Sequence, residues 1–168
     1  MGRPAIPVAV ALGSNLGARR AHLDFAVTRL RACLSTLRVS RFVETVPVAV
    51  VGSQPQFLNA AVVGDCVLTP RELLTELLQI EQERGRERPY RGAARTLDLD
   101  LVLFGDVVID EPGLTLPHPR FRERRFVLEP LAEVGAGLRD PVTGLTVGEL
   151  LLGLGRSGTA EAGRRAGG

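Results

Sequence analysis

The aspartates at positions 98 and 100 are the residues of this sequence whose spacing most directly suggests chemistry. Leucines occupy every second position around them, namely Leu97, Leu99, Leu101 and Leu103. This period of two predicts a half-buried β-strand whose leucines share one face and whose carboxylates share the other. Two strand rises put the aspartate Cα atoms about 7 Å apart, so both carboxylates can bind a common cation. For these residues taken alone, an ordinary solvated strand face is the alternative.

Positive charge is concentrated just before this pair. Five arginines precede it, namely Arg84, Arg86, Arg88, Arg91 and Arg95. Two like charges on one strand face repel each other, so the aspartates need positive partners, either bound metal or these arginines. All 21 basic residues are arginines, and the absence of lysine excludes a P-loop lysine, a Schiff-base lysine and a lysine general base.

Carboxylates and arginines in this order predict phosphoryl or pyrophosphoryl transfer from a nucleotide. Paired carboxylates suit Mg²⁺, which binds few protein carboxylates and takes its other ligands from water and phosphate oxygens. Two such ions about 3.5–4 Å apart can bind both the attacking and the leaving oxygen of an in-line displacement. Arginines neutralise the charge that develops on the phosphates.

Length and composition indicate one globular domain. The chain has 168 residues, of which 45% are apolar. We expect the domain to span 1–152, with a disordered tail over 153–168, where Gly, Ser, Ala and Arg dominate. No run approaches the ~20 apolar residues of a membrane span, and no signal peptide is apparent, so we expect a cytoplasmic protein without a membrane partner. We also expect a monomer.

The elements that must position the aspartates follow from periodicity and turn signals. In the first half, we predict a strand over 7–12, a glycine-bearing turn over 13–17, a helix over 18–37, and strands over 37–46 and 57–67. The residues between those last two strands lack any clean period and predict a functional or mobile loop. In the second half, Thr69 as N-cap and Pro70 at the first helical position predict a helix reaching to about residue 85.

The arginine-rich loop over 84–94 then leads to the aspartate strand. We predict that a return strand over 107–109 completes a hairpin with it, followed by an extended segment over 114–119 and helices over 120–131 and 146–152. Arg120 and Arg122 are predicted on a solvated helix face. This order favours an α+β fold of ferredoxin-like βαββαβ type, with an added hairpin and C-terminal helices.

Several motifs, in one consistent order, resemble the hydroxymethyldihydropterin pyrophosphokinase family of folate biosynthesis. They are Leu-Gly-Ser-Asn-Leu-Gly at 12–17, Phe-Leu-Asn-Ala-Ala-Val at 57–62, Ile-Glu at 80–81 with Gly-Arg-Glu-Arg at 85–88, Arg-Thr-Leu-Asp-Leu-Asp at 95–100, and Leu-Pro-His at 116–118 before Phe126 and Pro130. The resemblance implies a ferredoxin-like enzyme that moves the pyrophosphoryl group of ATP to the hydroxymethyl group of a dihydropterin and releases AMP.

The resemblance also implies the site residues. Two Mg²⁺ ions would bind Asp98 and Asp100, and Arg86 and Arg95 would act on the phosphates. The implied pterin pocket consists of Thr45, Pro47, Phe57, Asn59 and Phe126, with the two phenylalanines sandwiching the ring and Asn59 hydrogen-bonding its edge. The implied nucleotide positions are Glu81, Arg88, Leu101, Thr115, His118 and Arg124.

Some alternatives remain open from the residues themselves. Phe57 and Phe126 are core residues in one interpretation, Asn59 a buried structural amide, and His118 a loop histidine without a ligand. A catalytically inactive relative and a different Mg²⁺-dependent nucleotide transferase are alternative functions. A nucleic-acid-binding module is disfavoured because aromatic residues make up only 4% of the chain, so few rings can stack on bases, and no nucleic-acid partner is expected.

Overall fold

The computed structural model describes residues 3–45, 56–85 and 96–154. Its strands are β1 (Ile6–Ser14), β2 (Ser35–Val39), β3 (Val43–Thr45), β4 (Phe57–Cys66), β5 (Asp98–Phe104), β6 (Ile109–Glu111) and β7 (Leu114–Leu116). Its helices are α1 (Arg19–Cys33), α2 (Pro70–Glu83), α3 (Arg125–Gly135) and α4 (147–154), and a 3₁₀ turn over Phe121–Glu123 precedes α3. None of the described helices is both long and apolar enough to cross a membrane.

The molecule is built around one antiparallel sheet. Its strands lie in the order β2-β4-β1-β5, and β3 also pairs with β4. The central strand β1 is buried from Val8 to Ser14, because it has a neighbour on each edge and packed side chains on each face. This combination of helices with an antiparallel sheet confirms the predicted α+β class.

Helices cover both faces of the sheet. On one face, α1 and α2 bury large side chains of β1 together with those of both helices, among them Val8, Val10, Leu12, Leu23, Leu30, Leu73 and Leu77. On the other face, α3 packs through Val127, Leu128 and Leu131 against the small residues Ala9, Ala11 and Ala61. The small residues bring α3 close to the sheet, and the aspartates of β5 lie on this second face.

The start of α2 confirms the sequence prediction. The Thr69 hydroxyl accepts a hydrogen bond from the Glu72 amide at 3.1 Å, and the Glu72 carboxylate accepts one from the Thr69 amide at 2.8 Å. Pro70 occupies the first helical position, where its missing N–H leaves no intrahelical bond unmade. This capping box fixes the register of a helix whose last turn contacts the aspartate strand.

The predicted end of the first helix is wrong. We expected helix to residue 37, but α1 ends at Cys33, and Leu34 is already extended with φ −126°. Ser35 pairs with Asp65 of β4 in the next strand. Leucines at 34 and 37 fit a helical period as well as an edge strand, so only pairing with β4 decides between them. The single strand expected over 37–46 is accordingly two short strands, β2 and β3, of which the second ends at Thr45.

The predicted hairpin between the aspartate strand and a return strand is also wrong. The strand after β5 begins at Ile109 and pairs with β7 in a separate two-stranded sheet. The helix expected over 120–131 is divided into the 3₁₀ turn and α3 because Arg124 is extended, with φ −108° and ψ 100°. The last helix covers 147–154, and residues 155–168 of the predicted tail lie outside the described residues.

Candidate active site

The predicted site residues of β4 and β5 lie on either side of one end of β1. Gly13 of β1 lies opposite Asn59 on one side and opposite Asp98 on the other. Two residues earlier, Ala11 lies opposite Ala61 and Asp100. Directly opposed residues share a sheet face, so Asn59, Asp98 and Asp100 lie on the face that α3 covers. Two interstrand spacings put the backbones of Asn59 and Asp98 about 10 Å apart.

The amide of Asn59 is held in one orientation. Its side chain is buried, with 8% of the residue exposed, and its Nδ2 donates a hydrogen bond to Thr45 Oγ1. Thr45 lies opposite Phe57 in the pairing of β3 with β4, and the ring of Phe57 is half-buried at the start of β4. Three of the predicted pterin residues therefore adjoin one another on the second face. Pro47, which the resemblance also places in the pterin pocket, lies outside the described residues.

Phe126 approaches the same face from α3. It is half-buried and packs against the cluster that contains Ala11 and Ala61. The guanidinium of Arg124 lies 5.6 Å from the centroid of its ring. This cation–π contact stabilises the positions of both the phenyl ring and the guanidinium. That Phe57 and Phe126 sandwich a heterocycle stays a prediction.

A cavity of about 270 Å³ lies at the outer edge of β5. It is lined by Leu74, Leu99, Asp100, Leu101, Gly113, Leu114, Thr115, His118 and Pro119. Three predicted nucleotide positions, Leu101, Thr115 and His118, thus line one cavity together with a predicted metal ligand. Leu74 was not predicted as a site residue; it is half-buried on α2 beside the fully buried Leu73 and also packs against the main core, so its apolar type gives no signal that distinguishes it from a core residue.

His118 is oriented by backbone contacts. Its amide donates to the Val102 carbonyl at 2.9 Å, and its Nδ1 accepts from the Arg120 amide at 3.1 Å. Burial lowers the pKa of His118, and the charges of Arg124 and Arg120 lower it further, whereas Asp98 raises it. The imidazole is therefore neutral at pH 7, with Nε2–H as its donor. This arrangement favours a ligand-facing histidine over a loop histidine without a role.

Glu81 binds the backbone of β5 at the residue between the two aspartates. It is 3% exposed, and its Oε2 accepts a hydrogen bond from the amide of Leu99 at 2.7 Å. Leu99 separates Asp98 from Asp100, so the last turn of α2 fixes the backbone from which both carboxylates project. Glu81 is absent from the residues lining the β5 cavity. This hydrogen bond joins Glu81 to the strand, whereas the resemblance implied a nucleotide position.

The predicted arginines at 86, 88 and 95 lie outside the described residues, but the residues that flank this segment, Gly85 and Thr96, contact each other. The Thr96 hydroxyl donates to the Gly85 carbonyl at 3.3 Å, which ties the two flanking residues together. Arg84 donates from Nε to His22 Nδ1 at 3.0 Å, and its guanidinium lies 4.6 Å from the centroid of Phe25. The segment that carries the predicted arginines therefore starts from a residue anchored to α1.

The prediction for Arg122 is wrong. The sequence predicts a solvated helix face for Arg122, but its side chain donates from Nε and Nη2 to the carboxylate of Asp140 at 2.5 and 3.0 Å. Asp140 is fully buried and also accepts from the Val142 amide and the Thr143 hydroxyl. Burial alone would raise the pKa of Asp140, but these hydrogen bonds lower it to about 2. This ion pair attaches the turn after α3 to the 3₁₀ turn that leads into Arg124.

The family model of 7,8-dihydro-6-hydroxymethylpterin-pyrophosphokinase matches residues 9–136 of this chain. The chain belongs to this family. The match includes β4, β5 and the part of β1 from Ala9 to Ser14, and therefore every described residue of the site. The family resemblance predicted from the sequence is confirmed.

Individual relatives agree with the family match. The chain is 47% identical over 127 residues to the 2-amino-4-hydroxy-6-hydroxymethyldihydropteridine pyrophosphokinase of Bacillus subtilis, covering 74% of this chain and 75% of the relative. It is 39% identical over 143 residues to the protein of the same name from Synechocystis, covering 84% and 73%. It also matches the folic acid synthesis protein fol1 of Pneumocystis carinii at 38% identity, covering 83% of this chain but only 19% of that longer protein.

Solved structures support the fold. A crystal structure of HPPK-DHPS in complex with substrates superposes with a TM-score of 0.77 at 12% identity, covering 95% of this chain and 45% of that one. The wild-type HPPK-DHPS of Plasmodium falciparum superposes with a TM-score of 0.69 at 15% identity, covering 88% and 44%. The chain thus spans less than half the length of these solved chains, and at these identities the likeness concerns the fold alone.

Proposed function

We propose that this protein transfers the pyrophosphoryl group of ATP to the hydroxymethyl group of 6-hydroxymethyl-7,8-dihydropterin, with release of AMP, in folate biosynthesis. The observation that carries the proposal is the register of the sheet, which places Asn59 and Asp98 on one face at either side of Gly13. A group suited to the edge of a heterocycle and a group suited to a phosphate-bound metal thereby lie about 10 Å apart, two interstrand spacings. The family match over 9–136 supports the same reaction.

The donor set on β5 fits magnesium. Asp98 and Asp100 supply hard carboxylate oxygens from one half-buried strand face. Within the described ranges, no group of three or more His, Cys, Asp or Glu side chains could hold a metal. A site with two carboxylates suits Mg²⁺, because this ion keeps waters and binds substrate phosphates. When bound, it supplies positive charge to the phosphates of ATP; that two ions bind is part of the proposal.

The chain's own residues would bind and orient the two substrates. The Asn59 amide, fixed by Thr45, offers a donor and an acceptor to a flat heterocycle, and Phe57 and Phe126 offer their rings. The β5 cavity, lined by Leu101, Thr115 and His118, suits the nucleotide, because apolar walls can enclose a base while the neutral histidine donates to a phosphate oxygen. Arg86, Arg88 and Arg95 would neutralise the phosphates, and Arg124 and Glu81 would support the nucleotide side of the site.

The remaining proposals concern the molecule as a whole. The strand order, with β2 and β3 counted as one strand that is interrupted, favours a ferredoxin-like arrangement of the first four strands and two helices. We retain the boundary of the domain at about residue 152, a monomeric state, and the lack of nucleic-acid and membrane partners as proposals. A cytoplasmic location stays a prediction from the sequence.

The test follows the products of the reaction. Purified protein is incubated with ATP, Mg²⁺ and hydroxymethyldihydropterin, and AMP and ADP are separated by ion-exchange chromatography. Asp98→Ala removes a proposed metal ligand, and Asp106→Asn serves as the matched control, because Asp106 is exposed in the turn after β5. We expect AMP to form only when the pterin is present, to be lost in Asp98→Ala and to be retained in Asp106→Asn.

Other products would identify other functions. ADP in place of AMP would mean transfer of a single phosphoryl group. ATP binding without turnover would identify an inactive relative. Equal activity of Asp98→Ala and wild type would contradict the proposed metal site, and the proposed reaction would stand.

A further inference from the structure

Gly13 occupies a position where a side chain would enter the heterocycle site. A Cβ atom built on it would lie 3.2 Å from Asn59 Oδ1 and 3.7 Å from Cδ1 of Phe57. The first distance is shorter than ordinary van der Waals contact, so Asn59 would have to move by a few tenths of an ångström. Gly13 lies within the regular strand β1, so it is required for space and not for a special backbone conformation.

Asn59 cannot move without loss of a contact. Its Nδ2 donates to Thr45 Oγ1, and the residue is 8% exposed, so its amide is enclosed by β3 on one side and by β1 on the other. A methyl group at position 13 would press on Oδ1 while Thr45 retains Nδ2. The amide would then rotate away from the plane in which it hydrogen-bonds a ligand, and such bonds weaken steeply with misalignment.

The same position also adjoins the carboxylate pair. Because Gly13 lies opposite Asp98 as well as Asn59, a side chain there would stand between the two groups on their common face. The hydroxyl oxygen of the substrate that receives the pyrophosphoryl group has to lie between the heterocycle and the metal-bound phosphates. Ala11, the next β1 residue on this face, is also small and lies opposite Asp100.

We propose that Gly13 is a specificity-determining residue that positions the Asn59 amide and leaves the space through which the pterin's hydroxymethyl group reaches the phosphates. This inference rests on the proposed function and adds a residue to its site. Gly13 acts through Asn59 and is a positioning residue. A side chain at position 13 should therefore weaken binding of the pterin and leave binding of the nucleotide unchanged.

The experiment compares two glycine-to-alanine variants. Gly13→Ala tests the proposal. Gly64→Ala is the matched control, because Gly64 lies on the adjacent strand β4 and a Cβ there would lie 3.1 Å from Leu34 Cβ and from the Ser35 carbonyl. Gly64 is five residues, about 17 Å, from Asn59 along the strand. Kd for hydroxymethyldihydropterin is measured by calorimetry with a non-hydrolysable ATP analogue and Mg²⁺, and KM and kcat are measured for both substrates.

We expect Gly13→Ala to weaken pterin binding about tenfold, the loss of roughly one hydrogen bond. KM for ATP should remain within twofold of wild type. Gly64→Ala should lower the thermal midpoint at least as much as Gly13→Ala and leave the pterin Kd unchanged. In an Asn59→Ala background, which removes the oxygen that the new methyl group would contact, Gly13→Ala should weaken binding less than twofold further.

Three results would overturn the proposal. Unchanged pterin affinity in Gly13→Ala would mean that the site accommodates a side chain, and the proposed reaction would stand. The same tenfold loss in the Asn59→Ala background would mean that Gly13 does not act through Asn59. Absence of pterin binding by the wild-type protein would defeat the proposed function and this inference with it.

Discussion

Replacement of Glu81 by alanine should destabilise the protein and impair the proposed metal site together. The change leaves the Leu99 amide, on a residue that is 6% exposed, without the acceptor that now lies 2.7 Å away. A buried donor left without a partner costs about 1–3 kcal/mol, and the lost methylene adds roughly 0.8 kcal/mol. The expected loss in the free energy of unfolding is therefore about 3 kcal/mol, which lowers the thermal midpoint by about 6–12 °C for a chain of this size.

Glu81→Gln is the matched control, because the amide of glutamine retains both the acceptor oxygen and the methylene. It should remain within about 1 kcal/mol of wild type. Urea unfolding followed by circular dichroism measures both variants. The Mg²⁺ concentration that gives half-maximal activity should rise in Glu81→Ala and return toward the wild-type value in Glu81→Gln, because Leu99 separates the two aspartates.

The reasoning would be refuted if Glu81→Ala unfolded within about 0.5 kcal/mol of wild type, the usual range of a surface substitution. Equal destabilisation by glutamine and by alanine would also contradict it. That result would mean that the charge of Glu81, and not its acceptor atom, stabilises this end of the sheet.

Three further predictions concern the C-terminal half. The pKa of Asp140 is lowered from 3.8 to about 2, so its carboxylate contributes about 2 kcal/mol to the free energy of unfolding. This contribution is present above pH 3.8 and is lost as the pH falls through about 2. In acid unfolding, Asp140→Asn should therefore be less stable than wild type at pH 7, and its stability should decline less between pH 4 and pH 2. Phe126→Ala should raise KM for the pterin about 10- to 100-fold, and Phe126→Tyr should restore it, since stacking on an aromatic ring contributes about 1–3 kcal/mol. Burial lowers the pKa of His118 below 6.5, so its Nδ1 should accept from the Arg120 amide, and KM for ATP should be constant, from pH 8 to pH 6.5. Protonation in more acidic solution would place an N–H against that amide and release the ring, which should raise KM. A kinetic pH profile of His118→Asn should lack that acid limb.

Local signals predicted the elements whose residues interact with close neighbours in the chain. The capping box of α2 depends on Thr69 and Glu72, three residues apart, and could be identified from the sequence. The alternation of aspartate with leucine likewise placed Asp98 and Asp100 on one strand face. Both features arise from the geometry of a single element, which the order of residue types specifies.

Partners distant in the chain could not be predicted in this way. The end of α1 depends on β4 pairing with Ser35, and the position of β6 depends on its pairing with β7 instead of β5. The partner of Arg122 is Asp140, eighteen residues away. The sequence around Arg122 is the same whether the side chain is solvated or paired, so only the packed structure distinguishes these outcomes.

The sequence by itself determined the α+β class and the family, and it predicted the chemistry of the site: carboxylates on a strand, an amide and aromatic rings for a heterocycle, and arginines for phosphates. These conclusions require only residue types, spacing and motif order. Tertiary structure decided which of these residues adjoin one another. The sheet register set Asn59 and Asp98 on either side of Gly13, and the last turn of α2 placed Glu81 on the Leu99 amide. Register and helix docking are determined by the simultaneous burial of both sheet faces, and no single segment of the chain contains that information.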